Sequence, residues 1–119
     1  MKYDDLLSVP YKVNGRDMNG MDCYGVTLEC CHRCGLDLHD AVYASDKVDR
    51  KELEDYVRHL NVIEIESPKE HSIIQCDYDG HLHIGFMIDK NNCIHTTYEG
   101  VRITPIIALR NKKYFEVIK

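Results

Sequence analysis

No apolar run in this chain approaches the roughly 20 residues that a membrane-spanning helix needs. The opening Met1-Lys2-Tyr3-Asp4-Asp5-Leu6 also lacks the hydrophobic segment of a secretory signal. From these two absences we expect a protein that is cytoplasmic as made, or one that a separate carrier takes to its place of action. Positive charge is scarce as well: 15 Lys and Arg stand against 20 Asp and Glu, a net charge of −5. That balance lacks the basic face that duplex nucleic acid or an anionic membrane would want, so neither is expected as a partner. No internal repeat and no low-complexity stretch divides the 119 residues, and a single domain over 1–119 is expected, long enough for a core and a cleft.

Cysteine, by contrast, is plentiful. Cys23, Cys30, Cys31, Cys34, Cys76 and Cys93 are many for this length. Four of them fall inside 23–34, where one helix would hold them too locally to staple a fold, so they read as reduced. Cys31-His32-Arg33-Cys34 contains half of a zinc-site pattern, but no second pair at ligand spacing follows. No metal and no other cofactor is expected, and Cys30 and Cys34 read as core thiols. His32, His39, His59, His71 and His81 read as surface or loop residues.

Residues 3–7 can form one helical turn, and Tyr11 to Gly20 reads as loop on its glycines and asparagines. A helix is predicted over about 23–34, with Cys23, Val26, Thr27, Cys30 and Cys34 on one stripe and Gly35 at C′. After a mixed stretch over 36–48, Asp49-Arg50-Lys51-Glu52 resembles a capping box, and Leu53, Tyr56, Val57 and Leu60 follow at helical spacing. The pattern then becomes β: 62–66, 72–78, a hairpin turn at Asp79-Gly80, then 81–88, 93–97, 101–107 and 114–118. Helices followed by short antiparallel strands imply an α+β fold, the helices packed on one side of a meandering sheet.

The chemistry concentrates at three of these positions. Cys23 sits in the first turn of its helix, where unpaired N–H groups and the macrodipole favour a thiolate. A free cysteine is more often a small buried hydrophobe, and what sets Cys23 apart is a pair of histidines. In 81–88, Leu82, Ile84, Phe86 and Ile88 alternate onto one face and leave His83 on the other. His95 follows twelve residues after His83. An odd hairpin loop of about three or five residues centred on Asp89 would set the two imidazoles opposite one another on the same face. A cysteine and two histidines so placed form a nucleophile, a base and an orienting group. One His83 nitrogen should then meet His95 and the other the Cys23 sulfur.

Tyr11 in Val-Pro-Tyr, Asp22-Cys23-Tyr24-Gly25, His83-Ile84-Gly85 and Ile94-His95 together resemble the NlpC-type cell-wall cysteine peptidases, which have a papain-like fold. The resemblance runs from about residue 8 to 105. Gly15-Arg16-Asp17 and Gly100-Val101-Arg102-Ile103 look most like the variants of phage tails and prophages. It implies Cys23 as nucleophile, His83 as general base and then acid, and His95 as the group that orients His83. Tyr11 and Asp22 are implied at the oxyanion or substrate-binding positions, the Tyr11 hydroxyl acting with the Cys23 N–H. The implied substrate is a peptidoglycan stem peptide, cut between D-γ-glutamyl and a diamino acid, with phage-tail or secretion components as partners. Where the family usually has a Gly-Asp pair before the histidine strand, this chain has Glu70-His71-Ser72, which bears on the cleft wall and substrate choice. Two other functions fit the same residues: a non-catalytic tail or scaffold component that kept the fold, and an amidase or acyltransferase acting on another substrate.

Overall fold

Asp22 and Gly35 bracket the helix that organises the molecule. In the computed structural model, which describes residues 3–39, 61–78 and 80–118, α1 runs from Cys23–Arg33 with Asp22 as N-cap. It closes in a Schellman motif: the Gly35 N–H donates to the His32 carbonyl and the Leu36 N–H to that of Cys31. Both signals are local, and the predicted helix matches the observed one to within a residue. A short 3-10 turn, Asp4–Leu6, precedes it. The segment expected to be loop contains a small antiparallel ribbon, β1 (Arg16–Asp17) and β2 (Gly20–Met21). Two-residue strands are too short for any alternation pattern to show. The helix expected over 49–60 lies outside the described residues, as does His59.

The remaining strands are β3 (Val62–Ile65), β4 (Ile73–Tyr78), β5 (His81–Met87), β6 (Asn92–Thr97), β7 (Gly100–Pro105) and β8 (Arg110–Val117). They form one antiparallel sheet in the order β3-β8-β4-β5-β6-β7. Four strands, β4 to β7, meander as expected. The last strand does not extend that meander; it returns to lie between β3 and β4. Tyr78 pairs with His81, the last pair of β4 with β5; Asp79 of the expected hairpin turn lies outside the described residues.

Helix and sheet meet through alternation. Ile73 of β4, Ile84 and Phe86 of β5 and Ile94 of β6 join Tyr24, Val26 and Cys30 of α1 in the main core. Burying an Ile or Phe side chain in this way contributes about 1.5–3 kcal/mol, and this interface fixes where the helix begins relative to the strands. The opposite face of the sheet carries a second cluster around Ile74, Cys76, Met87, Cys93 and Leu109. Cys30 and Cys31 are buried, whereas Cys34, expected in the core, is partly exposed at the helix C-cap with its sulfur 3.1 Å from the Tyr3 hydroxyl. As the C-cap it packs against the edge of the core rather than inside it.

Candidate active site

Asp22 holds the first turn of α1 with every oxygen of its carboxylate. Oδ1 accepts the Gly25 N–H at 2.7 Å and the Arg16 guanidinium at 2.9 Å, while Oδ2 accepts the Asn14 N–H at 2.9 Å. The residue is only 4% exposed, so its carboxylate faces inward. Arg16 reaches it because the β1–β2 ribbon sets Arg16 across from Met21, next to Asp22 in the chain. Gly25 lets the turn press against the ribbon: a Cβ there would lie 2.2 Å from the Gly15 carbonyl oxygen. These contacts explain Asp22-Cys23-Tyr24-Gly25 as a mechanical unit that fixes the Cys23 backbone. Tyr11 bridges to Met21 through the backbone, and its ring meets Tyr98 edge-on with centroids 5.1 Å apart.

On the sheet, pairing between β5 and β6 is confined to Phe86↔Ile94 and Met87↔Cys93. The start of α1 lies against these two strands. Thr96 Oγ1 donates to the Asp22 carbonyl at 3.2 Å, and the Cys23 thiol feels the backbone N–H of Ile84.

The two histidines meet on one face, His83 Nε2 lying 2.8 Å from His95 Nδ1. Their register differs from the expected one. The hairpin loop is three residues centred on Lys90, because the Asp89 carboxylate accepts the N–H groups of Asn91 and Asn92 at 2.7 and 2.8 Å and Ile88 bonds Asn92. Continued along the strands, this register sets His95 opposite Gly85, with His83 two positions further on. The imidazoles therefore pair diagonally rather than directly across. Gly85 leaves the room for that diagonal: a Cβ there would stand 3.2 Å from the His95 Cβ and 3.1 Å from the Ile94 carbonyl oxygen.

Two further residues complete the surroundings. His95 Nε2 lies 2.7 Å from Thr104 Oγ1, Thr104 being the β7 partner of Cys93. Tyr78, at the end of β4, packs against both rings, tilted against His83 and edge-on to His95, with centroids 5.1 Å and 5.2 Å away. Neither was identified from the sequence. Their contacts come from strand neighbours, and nothing local in Asp77-Tyr78 or Ile103-Thr104 signals them.

Burial dominates the electrostatics. Desolvation, and then the neighbouring His95, pulls His83 down to about 3. Desolvation takes His95 to about 4, so both rings are neutral at neutral pH. The Cys23 thiol is pushed up to about 12 by burial and then by the Asp22 carboxylate, against the N–H groups of Ile84, Tyr24 and Cys23 itself. The thiolate expected from the helix terminus is thus not the resting form. A macrodipole contributes about 0.3–1 kcal/mol, less than the cost of removing a full charge from water. Among the described residues no hydrogen bond joins the Cys23 sulfur to either imidazole. The arrangement can perform proton transfer between a neutral thiol and a neutral imidazole, with a second imidazole to share the resulting charge. Among the described residues no group of three or more His, Cys, Asp or Glu side chains is gathered as a metal site requires.

Compared with known proteins, residues 8–118 match a family model described as NlpC/P60 family. No curated protein matches the chain.

Proposed function

The chain belongs to the NlpC/P60 family, whose members are in general cysteine peptidases or amidases of peptidoglycan, and on that premise we propose that it hydrolyses an amide bond in peptidoglycan stem peptides with Cys23, His83 and His95. The proposed bond lies between D-γ-glutamyl and a diamino acid. The observation that carries this reading is the 2.8 Å bond between His83 Nε2 and His95 Nδ1, on the two strands against which the start of α1 and Cys23 pack.

In the proposed reaction His83 accepts the thiol proton at Nδ1 as the sulfur attacks the amide carbonyl. Because the thiol rests neutral, proton transfer and attack belong to one event. The Cys23 N–H, with the Tyr11 hydroxyl, faces the developing oxyanion. Collapse breaks the C–N bond, and His83 returns its proton to the leaving amine. Water then attacks the thioester, giving its proton to His83, and releases the acid and the free thiol. Asp22 takes part by positioning Cys23, since both its oxygens are engaged within the protein. A phage tail or other carrier would deliver the enzyme to the wall.

Purified muropeptides digested with the full chain and analysed by mass spectrometry test this directly. A new free amine at the diamino acid, abolished in Cys23→Ser, is the expected result. One observation favours the alternative of a non-catalytic component, namely a thiol raised to about 12 with no hydrogen bond to His83. Intact muropeptides after prolonged digestion would select it.

A further inference from the structure

Two neutral imidazoles that share one N···N contact must decide which of them donates. If His83 Nε2–H donates to His95 Nδ1, then His83 Nδ1 is bare and can accept a proton. His95 then carries its hydrogen on Nε2, where Thr104 Oγ1 lies 2.7 Å away and accepts it. If His95 Nδ1–H donates instead, His95 Nε2 is bare and must accept from the Thr104 hydroxyl, and His83 holds its hydrogen on Nδ1. In that second arrangement His83 cannot act as a base at Nδ1. The direction of one hydroxyl at the far end of the chain is therefore tied to the basicity of a ring it does not touch.

One observation favours the first arrangement, and two others fix the rings and the bond that it uses. Thr104 is partly exposed, so its own hydrogen can turn outward to solvent while its lone pairs receive His95. His95 is fully buried, so an N–H at Nε2 has to be met inside the protein, and Thr104 is the side chain bonded there. Tyr78 lies edge-on to His95 and tilted against His83, and this packing resists a ring flip that would exchange the nitrogens. We propose that Thr104 is a positioning residue that holds His95 in its Nε2–H tautomer and thereby leaves His83 Nδ1 free to act as the base. The catalytic part of this inference rests on the peptidase reading above; the tautomer part does not.

The test separates the two. Imidazole ¹⁵N shifts of the full chain near pH 7 report the tautomer of each ring, with resonances assigned from His83→Asn and His95→Asn. His95 should read as Nε2–H and His83 as Nε2–H in the wild type and in Thr104→Ser, which keeps the hydroxyl. Thr104→Val removes the acceptor and should move both rings toward a mixture of tautomers. On stem peptides it should lower kcat about tenfold with KM little changed, a fold-change equal to about 1.4 kcal/mol and at the lower end of the cost of an unpaired buried N–H. Thr104→Ala serves the same purpose should the valine variant fail to fold. Unaltered tautomers in the valine and alanine variants would overturn the proposal even in an active enzyme. A tautomer shift in a protein that cleaves no muropeptide would support the hydrogen-bond chain and count against the peptidase reading alone.

Discussion

Acid should destabilise this protein before its carboxylates begin to titrate. His83 and His95 are held at about 3 and about 4 in the folded chain, whereas an unperturbed histidine titrates near 6.5. Above about pH 6.5 both rings are neutral folded or unfolded, and stability does not depend on them. As pH falls below that value the unfolded chain binds protons that the folded chain refuses, so stability drops, and it keeps dropping until the folded values are reached. Linkage gives about 2 kcal/mol for each ring by pH 5, or up to about 4 kcal/mol for the pair. That is a large part of the 5–15 kcal/mol typical of a domain. Urea unfolding at pH 7 and pH 5 measures it, with the double variant His83→Asn, His95→Asn as control. The wild type should lose the larger share of its midpoint, and the double variant should be less sensitive by about the stated amount. Equal sensitivity in the two proteins would refute the argument that these rings are buried neutral.

Other expectations follow from the same geometry. Iodoacetamide on the native protein should reach only the partly exposed Cys23 and Cys34 and spare Cys30, Cys31, Cys76 and Cys93; with the Cys23 thiol raised to about 12, its labelling rate should climb steadily from pH 7 to 10, and a plateau below pH 8 would contradict a neutral resting thiol. Asp22→Ala removes the N-cap acceptor of the buried Gly25 N–H, so a loss of about 1–2 kcal/mol is expected in urea, with Asp22→Asn losing less; an unchanged midpoint would show that the first turn is held by something else. On a stem-peptide substrate His83→Ala should abolish turnover, while His95→Asn keeps a measurable fraction and His95→Ala loses on the order of 10²-fold. Comparable activity in His83→Ala and His95→Asn would mean the roles are misassigned.

Much of the fold was legible because its signals are local. Gly35 marks the end of α1, and the apolar alternation of Leu82, Ile84 and Phe86 marks β5, each through contacts a few residues apart, whereas Asp22, expected at an oxyanion or substrate-binding position, is the N-cap. The β1–β2 ribbon was not legible, since two residues carry no period. The place of β8 between β3 and β4 was not legible either, because a late strand gives no sign of which earlier edges it will join. At the candidate site, the common face of His83 and His95 survived an error in register. Moving the turn centre from Asp89 to Lys90 shifts the pairing by two positions, and an even shift preserves the face.

The sequence by itself therefore determined which side chains could meet: a cysteine at a helix start and two histidines of the same strand parity. Tertiary structure alone decided how they meet and in what charge state. The diagonal approach over Gly85, the Thr104 hydroxyl behind His95 and the Tyr78 ring against both imidazoles depend on strands that are distant or differently placed in the chain. The neutral thiol does too. A helix start can be read from neighbouring residues, but desolvation is set by everything packed around the sulfur, and here it outweighs the local field.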